Sequence, residues 1–218
     1  MVLELYGSPY STCTKRVAAV LHEKKVPFEF CLVNLATGEH KTPSYLEKHP
    51  FGVVPYIDDD GFILYESRAI SRYIALKYES QGTKLIPTDD LKKIALFEQA
   101  ASVEQSSFDP YVTTVGMEKI IKPRLKGIPA NEAAVEDALT SLSAKLDAYD
   151  VILSKQKYLA GDDVTLADLF HIPWGVLLVV AGSDIMESKP NVARWWKDIT
   201  SRLSWAAVKD GVNSVTSF

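Results

Sequence analysis

The chain opens with alternating apolar and polar side chains and then changes to a helical spacing. Residues 2–7 alternate in this way and end at a glycine, which predicts a short strand. Glycine, serine and proline follow at 7–9 and predict a turn. The next apolar side chains recur with the period of one helix face, at Cys13, Val17, Val20 and Leu21. Strand, turn and helix therefore follow one another, with Ser11 and Thr12 near the helix start.

The alternation returns at residues 28–33, where every second side chain from Phe28 is apolar. This pattern predicts a second strand, parallel to the first across a βαβ unit. An apolar stretch at 53–57, interrupted by Pro55, precedes an acidic turn at 58–61 and a returning strand at 62–64. A helix then begins at Glu66–Ser67. Its predicted buried side chains are Ile70, Tyr73, Ile74 and Tyr78. Residues 1–78 thus form a predicted α/β domain.

Beyond residue 78 the patterns are helical. Residues 79–90 contain glycine, proline and aspartate and predict a linker. A helix face is then marked by Ile94, Phe97, Ala101 and Phe108, and Pro110 ends or kinks that helix. A second seam for packing against other helices is marked by Val135, Leu139, Leu142, Leu146, Tyr149 and Leu153. Thr165 and Asp168 form a capping box before a helix that is apolar from Leu169 to Val180. The sequence predicts an all-helical bundle over 91–218.

Composition narrows the function classes. The 218 residues carry a net charge of −4, which argues against a nucleic-acid binder because phosphate backbones require clustered Lys and Arg. No apolar run is long enough to cross a bilayer, and no targeting leader is visible. The two cysteines, Cys13 and Cys31, do not make a disulfide framework. We therefore expect a cytoplasmic protein that acts on neither nucleic acid nor a membrane.

Ser11 has two interpretations. A hydroxyl residue at a helix start commonly caps the free backbone N–H groups. Alternatively, those N–H groups, the helix dipole and the hydroxyl together favour a bound anion, such as a thiolate or a phosphate.

Pro55 lies within a predicted strand, where a proline removes a ladder hydrogen bond. One explanation is a cis Val54–Pro55 bond that presents the backbone of Val54 to an extended peptide. Such a peptide would add a strand at this edge.

Polar residues elsewhere can hold the ends of such a peptide. Ser67 at a helix start can bind a carboxylate, and the neighbouring Glu66 can pair with an ammonium group. His40 and Lys41 can meet a second carboxylate. Singly these residues are explained by a cap, a solvated loop or a turn, but together with Ser11 they describe a site for a short peptide.

Over nearly its whole length, the sequence resembles a known family, the cytosolic glutathione transferases. The shared features are Ser11, Gly38-Glu39-His40-Lys41, Pro50-Phe51-Gly52, Val54-Pro55, Glu66-Ser67-Arg68-Ala69-Ile70 and Thr165-x-x-Asp168. The start Ser11-x-x-Thr14-x-Arg16 and the stretch Phe108-Asp109-Pro110 are most similar to the phi class. The resemblance implies a thioredoxin-like, glutathione-binding domain at 1–78, an all-α domain at 91–218, and a homodimer in which Phe51 anchors the partner.

The resemblance also assigns roles. Ser11 would stabilise the glutathione thiolate, and Val54 would pair with the peptide backbone beside Pro55. Glu66 and Ser67 would hold the γ-glutamyl end.

At the other end of glutathione, the resemblance implies that His40 and Lys41 hold the glycyl carboxylate. Glutathione would be the co-substrate, with no metal or other cofactor. The sequence departs from the family at Val53, where a glutamine usually contacts the glycyl end, and at His49, where an asparagine is usual. Losing the amide removes about one hydrogen bond, roughly 0.5–1.5 kcal/mol of glutathione binding. We expect the turn at His49 to tolerate its change.

The implied reaction is conjugation of glutathione to hydrophobic electrophiles, with reduction of organic hydroperoxides as a further expectation. Candidate residues for the electrophile site are Thr12, Leu35, Phe108, Tyr111, Val115 and Met117. Core packing is the competing explanation for the last four of these.

Two other functions stay open. A reactive Cys13 would make the protein a thiol transferase, although Cys13 shares a helix stripe with Val17 and is predicted to face away from Ser11. A non-catalytic carrier of hydrophobic ligands, a ligandin, is the other alternative. A serine hydrolase is not indicated because the sequence has no Gly-x-Ser-x-Gly elbow.

Overall fold

Four strands form one mixed sheet within residues 2–218, the part of the chain that the computed structural model describes; the side chain of residue 126 is outside this description. The strands are β1 (Leu3–Gly7), β2 (Phe28–Leu32), β3 (Tyr56–Asp59) and β4 (Phe62–Tyr65), in the order β2-β1-β3-β4. β1 pairs parallel to β2 and antiparallel to β3, and β3 pairs antiparallel to β4. The predicted βαβ unit and hairpin are confirmed.

Three helices within residues 2–86 cover the sheet with their apolar faces. They are α1 (Thr12–Glu23), α2 (Pro43–Leu46) and α3 (Ser67–Lys77), with a 3-10 turn at Glu39–Lys41. Val17, Val20 and Leu21 of α1 are buried as predicted, and so are Ile70 and Ile74 of α3. Burying a side chain of this size stabilises the fold by about 1.5–3 kcal/mol.

β3 begins later than the sequence pattern indicates. The apolar stretch from Val53 predicts a strand over 53–57, but the ladder starts at Tyr56. Pro55 has no backbone N–H to donate, so regular pairing can begin only after it.

The second unit, Pro87–Ser201, is helical. Its helices are α4 (Leu91–Ser107), α5 (Asp109–Gly116), α6 (Lys122–Lys126), α7 (Glu132–Leu153), α8 (Leu166–Leu169), α9 (Ile172–Val180) and α10 (Pro190–Thr200), with a π-helical turn at Met117–Ile121 and a 3-10 turn at Ile185–Glu187. α4 ends just before Pro110, as predicted. The predicted seam of α7 is buried except at Leu139, which is half-buried. Within residues 2–218, no helix is both long and apolar enough to cross a membrane.

The apolar stretch from Leu169 to Val180 contains the end of one helix and all of another. α8 ends at Leu169 and α9 starts at Ile172. Pro173 explains the interruption, because proline lacks the N–H that a continuous helix needs and is accommodated in a first turn.

The capping box of α8 is confirmed. Asp168 is fully buried and accepts hydrogen bonds from the backbone N–H groups of Thr165 at 2.9 Å and Leu159 at 3.0 Å. Its Oδ1 also accepts the indole N–H of Trp195 at 2.9 Å. Burial raises the pKa of Asp168 although these donors oppose the shift. The carboxylate thus joins α8 to α10 and to the preceding loop.

The C-terminal residues differ from the prediction of a helical domain that extends to residue 218. Arg202–Phe218, including the short α11 (Leu203–Ala206), belongs to the first unit, with the residues up to Ile86. Arg202 donates to both carboxylate oxygens of Glu23, from Nε at 2.6 Å and from Nη2 at 2.8 Å. Further on, Phe28 and Val215 exchange two backbone hydrogen bonds of 2.9 Å. These contacts return the end of the chain to α1 and β2.

Residues 79–86 of the predicted linker 79–90 also belong to the first unit. The hydroxyl of Thr83 donates to Glu23 Oε2 at 2.6 Å, and the amide of Gln81 donates to the carbonyl of Lys24 at 2.8 Å. Gly82 has φ +62°, and a Cβ there would be 2.2 Å from the carbonyl oxygen of Glu23. Only glycine lets the backbone at position 82 come this close to the end of α1. Residues 81–83 thereby cap the C-terminus of that helix.

We expect Glu23→Gln to destabilise the protein by about 2–4 kcal/mol, because it removes the buried carboxylate that accepts hydrogen bonds from Arg202, Ser204 and Thr83. Burial alone would raise the pKa of Glu23, but donors from Arg202, Ser204 and Thr83 outweigh it and hold the pKa below 4.5. A depressed carboxyl pKa contributes stability that is complete above pH 4.5 and is lost as pH falls through the folded-state pKa.

Urea unfolding of both proteins between pH 3 and pH 7 measures this effect. The difference in unfolding free energy should shrink as the pH falls below about 4.5. Glu132→Gln, which removes an exposed partner of Lys119, is the matched control and should change stability much less. Equal losses in the two variants would contradict the role given to Glu23.

Candidate active site

Ser11 caps the N-terminus of α1. Its backbone is extended, with φ −65° and ψ 130°, and its Oγ accepts the N–H of Thr14 at 3.4 Å. The hydroxyl proton is not used in this bond and can be donated to a ligand. The first turn of α1 contains no acidic side chain that would compete for a bound anion. The capping interpretation is confirmed, and the same geometry leaves the anion-binding interpretation possible.

The N-terminus of α3 is also open to an anion. Ser67 is the first residue of this helix, and the preceding Glu66 adopts φ +72° and ψ 105°. A non-glycine residue in this conformation is strained, and strain of this kind clusters at functional sites. The helix start has no side-chain cap and no acidic side chain in its first turn. The N–H groups at a helix N-terminus suit a carboxylate.

A buried arginine joins these two helix starts. Arg16 of α1 is 1% exposed, and its Nη1 donates to Ser67 Oγ at 2.8 Å. Because Ser67 Oγ accepts this bond, its own proton can be donated to a ligand carboxylate. Arg16 was not predicted as a site residue. The available signal was a charged residue within the apolar stretch of α1.

The segment before β3 presents its backbone. The Val54–Pro55 bond is cis, which agrees with the one explanation offered above for a proline in this stretch. The hydroxyl of Tyr45 donates to the carbonyl of Val53 at 2.7 Å, while the Val53 side chain is 48% exposed. Within residues 2–218, the backbone N–H and C=O of Val54 have no hydrogen-bond partner. They are available to an added strand.

The 3-10 turn that carries His40 and Lys41 lies against the next turn of the chain. Lys41 Nζ donates to the carbonyl of Phe51 at 3.4 Å. Gly52 has φ +59°, and a Cβ there would be 2.8 Å from the carbonyl of His40. His40 Nδ1 is buried and lacks a hydrogen-bond partner among the described residues. The two candidate carboxylate ligands are thus held beside Phe51 and Gly52.

His49 is more than a turn residue. Its carbonyl accepts the Gly52 N–H at 2.8 Å, which confirms the turn. Its ring is buried, however, and stacks on Tyr65 at 4.5 Å, with Phe51 and Tyr45 also near. Burial lowers the pKa of His49, which favours a neutral ring. The packing of this ring therefore helps to hold the segment that leads to Val53.

The predicted electrophile-site residues lie in both units: Thr12, Leu35, Phe108, Tyr111, Val115 and Met117. In the first unit, Leu35 is exposed and Thr12 is half-buried. In the second unit, Phe108 and Val115 are buried, and the Phe108 ring is 4.5 Å from His171. This burial favours core packing for these two. Tyr111 and Met117 are half-buried, and their role stays a prediction.

Cys13 is a free, half-buried thiol. Its Sγ lies 3.6 Å from Arg16 Nη1. The thiol-transferase alternative therefore needs an experimental test. Among residues 2–218, no group of three or more His, Cys, Asp or Glu side chains could hold a metal ion.

Comparison with known families gives a match in each half of the chain. Residues 5–82 match the family described as Glutathione S-transferase, N-terminal domain. Residues 109–202 match the family described as Glutathione S-transferase, C-terminal domain. The chain is 48% identical over 199 residues to glutathione S-transferase PM239X14 of Arabidopsis thaliana, covering 90% of each chain.

Comparison with solved structures identifies the same family. The crystal structure of glutathione transferase F7 from Populus trichocarpa superposes with a TM-score of 0.93 at 41% identity, covering 97% of this chain and 100% of that one. Glutathione S-transferase I from mais, solved with an atrazine glutathione conjugate, gives 0.88 at 31% identity, covering 96% and 97%. The predicted thioredoxin-like and all-helical architecture is confirmed. The chain belongs to the glutathione S-transferases and is most similar to their phi class.

Proposed function

We propose that Ser11 donates a hydrogen bond to the sulfur of glutathione and that the resulting thiolate attacks hydrophobic electrophiles. The observation that carries the proposal is the Ser11 hydroxyl at the start of α1, which accepts the Thr14 N–H and keeps its own proton. Ser11 is a donor to the thiolate and is not itself the nucleophile. An attack on an aryl halide forms a C–S bond, releases halide with the bonding electrons and leaves the thiol proton to solvent.

The Ser11 bond matters because the thiol form is a poor nucleophile. A cysteine-type thiol has a pKa of about 8.5, so little of it is ionised at neutral pH. The hydroxyl and the N-terminal dipole of α1 both favour the charged form. Each pKa unit by which they lower this value corresponds to roughly 1.4 kcal/mol.

The other groups hold the peptide around its sulfur. In this proposal the γ-glutamyl carboxylate meets Ser67 and the N-terminus of α3, while Glu66 pairs with the ammonium group. The backbone of Val54 pairs with the cysteinyl residue. His40 and Lys41 meet the glycyl carboxylate, and the unpaired Nδ1 of His40 supports this assignment. Glutathione is the co-substrate, and no further cofactor is required.

The similar glutathione S-transferase I from mais forms a complex with an atrazine conjugate of glutathione. We propose hydrophobic electrophiles of this general class as substrates here, with organic hydroperoxides as a second class. Detoxification in the cytoplasm is the corresponding cellular role.

Ser11→Ala should keep glutathione binding within a few-fold and lower kcat at neutral pH. The loss of a charge-assisted hydrogen bond of one to a few kcal/mol predicts a decrease of roughly ten- to several-hundred-fold. The measurement is the pH–rate profile of conjugation to chlorodinitrobenzene, with glutathione binding measured separately. The apparent thiol pKa should rise in Ser11→Ala, because the donor to the thiolate is absent.

Cys13→Ala is the matched control and should leave the profile nearly unchanged. Ser11→Cys should suppress conjugation and introduce thiol exchange with disulfides. If Cys13→Ala abolished activity and Ser11→Ala retained it, the serine mechanism would be wrong and the thiol-transferase alternative would take its place. Tight binding of hydrophobic ligands without any conjugation by the wild type would instead indicate a carrier.

Val53→Gln should lower KM for glutathione roughly two- to tenfold and leave kcat nearly unchanged. The added amide can donate to the glycyl carboxylate, and this contact is equal in the ground and transition states. Val53→Leu, which adds volume without a donor, is the control. An unchanged KM in Val53→Gln would show that other groups already satisfy that carboxylate.

We further propose that Phe51 anchors a two-fold homodimer. Its side chain is 68% exposed at the tip of a turn, and large aromatic side chains are common anchors of protein–protein interfaces. Phe51→Ser should shift low-micromolar protein from dimer to monomer in sedimentation velocity, because interface anchors of this kind dominate association. Leu203→Ser, which alters a side chain that is 87% exposed in the same unit, should sediment like the wild type. A stable Phe51→Ser dimer would exclude this role.

A further inference from the structure

The C-terminal segment of residues 208–215, here called the strap, contacts the turn that leads into Ser11. This turn runs from Ser8 to Ser11 and is closed by a hydrogen bond from Ser11 N to Ser8 O at 3.1 Å. Val212 N donates to the carbonyl of Pro9 at 3.3 Å. All of these residues belong to the first unit.

The Pro9 carbonyl belongs to the central peptide of this turn. The two common turn types with proline at the second position differ mainly in the orientation of that peptide. A donor held against the Pro9 oxygen favours one orientation over the other. The Val212 N–H therefore acts on the residue pair immediately before Ser11, although it lies about 200 positions away in the chain.

A second contact holds the strap to the first turns of α1. Lys15 Nζ donates to the carbonyl of Lys209 at 2.7 Å. Lys15 is one helical turn after Ser11, and its N–H donates to the Ser11 carbonyl at 2.9 Å. Gly211, between the two contact points, has φ +145°, and a Cβ there would be 3.7 Å from the Tyr10 ring. The strap thus passes close to the turn in a backbone conformation that favours glycine.

The strap is itself fixed to the fold. Val208 and Val212 are 1% and 2% exposed. Before the strap, Arg202 and Ser204 bind Glu23 at the far end of α1, and within it Val215 pairs with Phe28 of β2. A segment anchored on both sides can transmit its position to the turn that it contacts.

We infer that the strap positions the hydroxyl of Ser11 toward the glutathione sulfur, through Val212 on Pro9 and Lys209 on Lys15. This inference rests on the proposed role of Ser11. Lys15, Gly211 and Val212 are positioning residues and do not contact the reacting atoms. Their loss should therefore affect thiolate stabilisation more than glutathione binding.

The test compares Lys15→Met and Gly211→Ala with matched controls in the second unit. Lys15→Met removes the bond to Lys209 and keeps most of the side-chain volume. Gly211→Ala disturbs the strap and retains the Lys15 charge. An effect that both variants share therefore cannot come from the loss of that charge. The controls are Lys145→Met, on the exposed side of α7, and Gly182→Ala, where φ is +89° and a Cβ meets nothing within 4 Å.

Both strap variants should raise the apparent thiol pKa in the pH–rate profile by about half a unit, which lowers kcat about threefold well below that pKa. KM for glutathione should stay within about twofold of wild type, since the binding groups are unchanged. Hydrogen exchange of the amides at 11–14 should become faster in both, because the turn and the first turn of α1 are less restrained. The two controls should match the wild type in all three measurements.

Exchange at 11–14 is measured without substrate, so it tests the strap even if conjugation is absent from the wild type. If the wild type did not conjugate glutathione, the proposed function would be wrong. If hydrogen exchange at 11–14 were unchanged in the strap variants, the strap would not restrain the turn and the inference would be overturned. If the variants lost stability or gained exchange only at 208–218 while the pH–rate profile stayed wild-type, the strap would be structural and the inference wrong. Lys15→Arg should restore the wild-type profile, because it keeps a donor to the Lys209 carbonyl.

Discussion

The hydrogen bond from Arg16 to Ser67 sets the geometry on which the site depends. A guanidinium that is 1% exposed is tolerated only with acceptors, because desolvating an unpaired charge costs several kcal/mol. One acceptor is Ser67 Oγ, at 2.8 Å and 51 positions away in the chain. Because Arg16 is on α1 and Ser67 starts α3, this bond fixes the two helix N-termini relative to each other. One N-terminus presents Ser11, and the other presents the hydroxyl and free N–H groups at Ser67.

Sequence periodicity predicted the parts of the fold in which contacts are local. The βαβ unit, the hairpin after Tyr56, the seam of α7 and the capping box at Asp168 follow from side-chain spacing within a few turns. The return of the C-terminal residues to the first unit was not predictable in this way. It depends on Glu23 and Arg202, 179 positions apart, and on a two-residue bridge between Phe28 and Val215. A single pair of charges at such a separation gives no periodic signal.

The same distinction applies to the site. Ser11 could be identified because a hydroxyl residue before an apolar helix face is a local capping signal, and the structure has that cap. Arg16 and His49 were not identified as buried, because their burial depends on partners elsewhere in the fold. His49 stacks on Tyr65, and Arg16 meets Ser67. Polar residues are exposed in most proteins, so their sequence alone predicts the opposite. The resemblance to a family supplied the roles that local patterns could not.

The departure at Val53 need not weaken the chemistry. Contacts to the ends of glutathione are the same in the ground state and the transition state, so their loss changes affinity and leaves the rate of the bound complex unchanged. In the proposed mechanism, thiolate stabilisation instead depends on Ser11 and the dipole of α1. The Val53 carbonyl still accepts the Tyr45 hydroxyl at 2.7 Å, so the backbone of this segment is held regardless of the side chain at 53. If the proposed roles hold, substitution at this position changes glutathione affinity separately from thiol activation, since the two are assigned to different elements of the first unit.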